Sequence, residues 1–203
     1  MDDLLTSQLL ESMLLEPLTL ANEHVTLEPL AIKHTTDLVE ALDDDTFIHM
    51  PMRSRVRTPS EVRRYIEFQT SRPDTIAFAV LEPSGRAIGS TSYMSIRAEH
   101  RSVEIGSTWI EQRARGTNIN PAMKRLLLAH AFDKRGAIRV ELKTDARNAR
   151  SRAAILKLSA IEEGTLRHHM IMPDGALRDT VVYAITRNDW PAVRERLDSR
   201  LGA

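Results

Sequence analysis

A strand-like run, Val103 to Ile110, and a long apolar-periodic helix are joined by a polar turn, Glu111 to Asn120, carrying Arg113, Arg115 and one glycine, Gly116. The first N–H groups of a helix have no intrahelical partner, and the macrodipole adds about half a positive charge there. Guanidinium groups beside such a start make an anion site, and a phosphate or pyrophosphate is its natural guest. The turn is not a dinucleotide fingerprint, which requires more glycines, nor a P-loop, which requires Gly-Lys-Ser/Thr. On these residues alone, a merely solvated turn fits equally well.

Other side chains could do chemistry. Glu104 lies on the strand that feeds the turn and could take a proton from a nucleophile. A salt-bridged surface glutamate is the plain alternative. His168 and His169 are neighbours on a strand, so one points in and the other out. Such a pair cannot share a metal ion without a third ligand, and none is evident. Asp43, Asp44 and Asp45 read as a solvated helix end rather than a cation loop. Arg53, Arg55 and Arg57 sit in a basic, aperiodic loop, Met50 to Arg57. That loop suits an acidic acceptor, or simply solvent. Tyr93 and Tyr183 fall on strands, at a pocket wall or a core edge.

The elements that must position these groups follow from periodicity. Strands are predicted at 25–30, 75–81, 86–96, 103–110, 139–144, 165–172 and 180–186. The three central ones are joined by short connections and should form an antiparallel meander. Thr58-Pro59-Ser60-Glu61 opens a helix through Thr70, with Pro59 in the first turn and Glu61 completing a capping box with Thr58. Further helices are expected at 33–42, after the polar turn, at 148–158 and from Trp190 to about Leu201. Asp174-Gly175 marks a hairpin. Gly89 and Gly106 interrupt strands, which points to a bulge or close packing. Residues 1–17 read as an amphipathic helical extension ended by Pro17, and 18–203 as one mixed α/β domain.

Composition narrows the class. The chain has 203 residues, 28 basic and 28 acidic, so no net charge argues for nucleic acid. It has no cysteine, which excludes thiol chemistry and disulfides and fits a reducing compartment. The N-terminus is acidic where a secretory signal is basic, and no run approaches a membrane span. A cytoplasmic protein without membrane or nucleic-acid partner is expected.

The turn resembles the acyl-CoA-binding motif of the Gcn5-related N-acetyltransferases, the GNAT superfamily. Arg113, Gly116 and Asn118 occupy its three key places, with Asn118 departing from the usual Gly or Ala. Val103-Glu104-Ile105-Gly106, Trp109, Thr117 to Pro121 and Lys124 resemble the Rim-like branch, which acetylates ribosomal-protein N-termini. So do Thr144-Asp145, Asn148, Arg150-Ser151, Ala154-Ile155, Glu163-Gly164, Arg178-Asp179, Val182-Tyr183 and Trp190-Pro191. The resemblance runs from Thr19 to Leu201.

It implies a seven-stranded, mixed but mostly antiparallel sheet flanked by helices. It also implies direct transfer of an acetyl group from acetyl-CoA to a primary amine, either a peptide N-terminus or a small molecule, without a metal. Glu104 and Ser151 are then the implied catalytic residues. Trp109, Ile110, Arg113, Ala114, Arg115, Gly116, Thr117, Asn118, Ile119, Asn148 and Ser151 would hold the cosubstrate. Arg53, Arg55, Tyr93 and His168 would meet the acceptor. The tyrosine many relatives use as an acid falls at Ile155, and Ser151 matches the serine the Rim-like branch uses instead. A homodimer is a family-level expectation. The second reading is a non-catalytic acyl-CoA-binding module on the same fold, favoured by Asn118 and Ile155.

Overall fold

The computed structural model describes residues 18–51 and 56–202. The expected N-terminal helix, together with Arg53 and Arg55, lies outside the described residues. The element order is β1 (Leu20–Ala21), β2 (Thr26–Pro29), α1 (Thr35–Ala41), α2 (Pro59–Thr70), β3 (Ile76–Leu81), β4 (Ala87–Arg97), β5 (Ser102–Ile110), α3 (Ile119–Ala129), β6 (Arg139–Asp145), α4 (Ala149–Leu156), β7 (Ile161–Ile171), β8 (Leu177–Thr186) and α5 (Trp190–Leu201).

Among the described residues the strands form one sheet of eight, in the order β1-β2-β3-β4-β5-β6-β8-β7. The expected seven are all present, and the eighth is the two-residue β1 paired to β2 through Leu20 and Ala21. So short a pair carries no periodic signal. The meander β3-β4-β5 is antiparallel as its short connections require. Only β5 and β6 run parallel, because α3 crosses between them.

The helices cover both faces. Met123, Leu127 and Leu128 of α3 and Val193 and Leu197 of α5 pack on Val103, Ile105 and Val140. On the other face Leu38 of α1 and Val62, Tyr65 and Ile66 of α2 pack on Ala77, Ala79 and Trp109. Each such aliphatic side chain contributes about 1.5–3 kcal/mol on burial. Helix α2 starts where its local chemistry dictates. Thr58 accepts a bond from Glu61 N, and Glu61 Oε2 accepts from Thr58 N at 2.9 Å. Its buried residues, Val62, Tyr65, Ile66 and Gln69, follow the i, i+3, i+4, i+7 stripe.

Candidate active site

The site begins with a fault in the sheet. β5 pairs with β6 only through Ser102, Val103 and Glu104. Beyond Glu104, β5 stays with β4 as far as Ile110, while β6 stays with β8 as far as Asp145. The two strands part, and the edge of β5 that faced β6 is left open. A bulge helps to open it. Ser90 pairs with Trp109 and Ser92 with Gly106, so Ser107 and Thr108 together stand opposite Thr91, and Ser107 takes φ 51°. Bulges bend a strand and raise its twist.

The bulge also reverses the facing of β5. Val103 and Ile105 point toward α3, but Trp109, an even number of residues further on, points toward α2. There Trp109 Nε1 donates to Tyr65 Oη at 3.1 Å, and Tyr65 bonds Ser90 Oγ at 2.7 Å. The tryptophan is therefore a buried anchor for β5, and its backbone, not its indole, borders the opening. Glu111 N donates to Ile88 O at 2.7 Å. Antiparallel alternation then turns the N–H of Ile110 to the open edge. Of the N–H groups from Trp109 to Glu111, that of Ile110 is the one facing the open edge.

The open edge leads to the polar turn. Gly116 takes φ 81°, and a Cβ there would meet nothing within 4 Å. Thr117 Oγ1 closes the turn on Ala114 O at 2.7 Å. Helix α3 follows; Asn118 makes no side-chain cap bond, and of the first N–H groups that of Ile119 donates to Thr117 Oγ1 at 3.3 Å. Asn118 sits at φ −74°, in the right-handed region. The left-handed residue of the turn is Gly116, so Asn118 stores no strain that glycine would relieve. Ala114 is buried, and Ile119 packs against the core.

The two arginines part company. Arg115 lines the cleft, donates Nε to Ile110 O at 3.1 Å and pairs with Asp43. Asp43, the first of the three acids after α1, thus ties that loop to the turn. Arg113 is a correction. It pairs with Glu82 and Glu111 and is not among the residues that line the cleft. Those carboxylates stand just past the ends of β3 and β5 and hold it there.

The cavity between β5 and β6 measures about 680 Å³. Glu104, Ile105 to Ile110, Leu142 to Thr144, Asn148, Ser151 and Ile155 line it. Asn148 caps α4 by accepting from Ser151 N at 3.0 Å, which sets both side chains on the cleft wall. Glu104 is largely buried, and its Oε2 accepts from Lys143 Nζ at 2.8 Å. Lys143 reaches Glu141 at the same distance. Burial alone pulls the Lys143 ammonium's pKa down, but the two carboxylates outweigh it and hold the group charged.

Two acceptor expectations need correction. Tyr93 is fully buried, and its hydroxyl donates to Leu127 O at 2.5 Å. It belongs to the α3 core and cannot meet an acceptor. His168 sits in a bulge of β7 at φ 49°, its N–H on Asp179 at 2.7 Å, outside the cavity. Its neighbour His169 lines the cavity and bonds Thr180 Oγ1 at 3.1 Å. Of the two neighbours in this bulge, His169 and not His168 lines the cavity.

Sequence reasoning missed two cations on the cleft wall. Arg178 of β8 is one. Lys124 of α3 is the other, almost wholly buried, with Thr108 Oγ1 at 3.0 Å its one hydrogen-bond partner among the described residues. Burial pushes its pKa down to about 7. Below that pH the folded and unfolded chains both carry the charge, and the cost of burying it is complete. As pH rises toward the ordinary lysine value of ~10.4, the folded state gives up its proton first and the cost fades. Lys124→Met should therefore raise the melting temperature most at pH 6 to 7, with the gain shrinking toward pH 10. A gain independent of pH in a melting series would show that the ammonium is not what the site disfavours.

Comparison with known proteins now identifies the class. Residues 24–160 match the family model of the GNAT acetyltransferase domain. The chain belongs to the GNAT acetyltransferase family. A curated Bacillus subtilis protein named "Putative ribosomal N-acetyltransferase YdaF" is 27% identical over 83% of this chain and 94% of its own. A solved structure from T. thermophilus, described as a "putative acetyltransferase", is 34% identical, with a TM-score of 0.86, covering 92% of this chain and 98% of its own. Mycobacterium smegmatis RimJ in complex with CoA-disulfide shares the fold at a TM-score of 0.78 and 22% identity, covering 91% of this chain and 95% of its own.

Proposed function

We propose that this chain transfers an acetyl group from acetyl-CoA to the primary amine of a protein N-terminus, by direct attack in a ternary complex. One observation carries the reading: the open edge of β5 runs straight into a helix start that Asn118 leaves without a side-chain cap. An unpaired strand edge offers N–H and C=O groups to an extended amide chain, as an added strand would. The helix start beyond it offers N–H groups to a pyrophosphate. These residues fit the cosubstrate. Its backbone contacts would come from Thr108 to Ile110 and from Arg115 to Ile119, with Arg115 the one arginine of the turn that faces it.

When bound, acetyl-CoA supplies an activated acyl carbon. The chain's own residues do the rest. The N–H of Ile110 is placed to meet negative charge on the thioester oxygen. Glu104 takes the proton of the attacking amine, through a water where it does not reach directly. The Ser151 hydroxyl, set by Asn148, is the proton source for the leaving sulfur. The Rim-like names among the relatives support a protein N-terminus as acceptor, and the cysteine-free chain fits a cytoplasmic location.

Ile155, lining the cleft where relatives place a tyrosine, supports the second reading, a module that binds acyl-CoA without turnover. Calorimetric or fluorescence melting separates both from a vestigial site. Acetyl-CoA at a hundred times its Kd adds about 2.7 kcal/mol, which for a chain of this size is a rise of roughly 5–11 °C. No rise at millimolar acetyl-CoA would remove the reading. A rise without CoA release on an N-terminal peptide panel would select the module.

A further inference from the structure

Among the described residues, Arg178 is the one buried guanidinium on the cleft wall, and the mechanism above does not use it. It is 7% exposed and lines the same cavity as Glu104. Its Nη1 donates to His49 O at 3.2 Å, while its Nε is buried with no partner among the described residues. A guanidinium so placed normally carries a carboxylate, since a buried unpaired charge is costly. The two nearest acids are already taken. Asp145 accepts from Arg147 Nε at 3.0 Å and Nη2 at 2.7 Å, and Glu104 accepts from Lys143. Burial lowers the Arg178 pKa and both acids, which lie in its field, oppose that, but neither is within salt-bridge distance among the described residues. Met50, Phe68, Met94 and Met170 line the same space and give it an apolar wall.

We propose that Arg178 is the anchor for a carboxylate on the acceptor, so that the substrate is an amine with an apolar body and an anionic group. The proposal rests on the acetyltransferase reading and names its substrate class. A guanidinium matches a carboxylate in planarity and donor spacing, which a lysine does not. The hold on His49 O also fixes the loop that carries Met50, so the anchor and the apolar wall are set together. The carboxylate has two sources, the α-carboxylate of a free amino acid or an acidic side chain near a peptide N-terminus.

Matched acceptors distinguish them. Leucine against leucinamide tests the α-carboxylate. Ser-Glu-Leu amide against Ser-Gln-Leu amide tests the side chain. In the intact protein with acetyl-CoA, one pair should show at least a tenfold preference in kcat/KM for the carboxylate member, expressed in KM, and that pair identifies the source. Arg178→Met should abolish the preference and Arg178→Lys should retain part of it. No preference in either pair, a preference that survives in Arg178→Met, or a loss that falls equally on both members of each pair would overturn the proposal. Calorimetric titration of the same acceptors onto CoA-saturated protein gives the answer without turnover. Arg178-dependent preference in binding with no acetylation of any amine would leave the subsite standing and remove the acetyltransferase reading. Acetylation without the preference would do the reverse.

Discussion

Glu104→Gln should lower kcat for acetyl transfer about a hundredfold at pH 7 and leave the melting shift caused by acetyl-CoA unchanged. The reasoning starts from the acceptor. An α-amino group titrates near ~7.7–8.0 and a lysine-like amine near ~10.4, so at neutral pH the nucleophile is largely protonated. A positioned base contributes 10²–10⁴-fold. The low end applies here because Glu104 shares its charge with Lys143 and because the proton can leave through water. Glutamine keeps the shape and the acceptor oxygen facing Lys143, so the cleft should hold. Lys143 keeps Glu141 as a partner at 2.8 Å. A pH series supplies the signature. The defect should shrink as pH rises past the acceptor's own pKa, since solvent then supplies the neutral amine. A variant as active as the parent at pH 7, or a defect that stays constant to pH 10, would show that Glu104 only positions Lys143.

Much of the frame behind this site was legible in the sequence, and the reasons are local. The capping box at Thr58 and Glu61, the meander and the hairpin at Asp174-Gly175 depend on residues a few positions apart. Their periodicities survive folding because one face of each element is buried. The bulges were not legible. Whether Ser107 and Thr108 stand opposite one residue or two depends on register with β4, which no segment of β5 carries alone. That register decides that Trp109 enters the core beside Tyr65 rather than the cleft. A similar bulge in β7 chose His169 over His168.

The arginines failed for a related reason. Arg113 and Arg115 stand two residues apart in one turn, and only the placement of Glu82 and Asp43 from distant elements tells them apart. Lys124 did leave a signal. It stands in the apolar stripe of α3, three residues from Pro121 and four from Leu128, where a charge is out of place. A lysine at such a position is either buried or reaching for a ligand. Arg178 left a weaker one, since it shares a strand face with Thr180 on β8, and both are buried.

The largest stability effect is expected at a residue that does no chemistry. Gly89 of β4 lies against the last turn of β5 before the polar loop. A Cβ there would stand 2.2 Å from Trp109 O and 2.8 Å from Ile110 Cα. Both are backbone atoms of a neighbouring strand, so no side-chain rotation can relieve the contact. Both strands are also held on their far sides, β4 by β3 and β5 by the Trp109–Tyr65 bond. Overpacking against side chains costs about 1–3 kcal/mol and occasionally more. Against backbone at a sheet centre the upper figure applies. Gly89→Ala should then lower the melting temperature by roughly 6–12 °C, at ~2–4 °C per kcal/mol for a chain of this length. The same displacement moves Ile110, whose N–H and C=O stand at the open edge and whose carbonyl receives Arg115 at 3.1 Å. Acetyl-CoA affinity should therefore fall at least tenfold, measured at a temperature where the variant remains folded. A loss of stability without a loss of affinity would mean that the cosubstrate is held by the turn and not by the strand edge. A melting temperature within about 2 °C of the parent would mean that β4 and β5 are free to part, and that the wedge is softer than its packing implies.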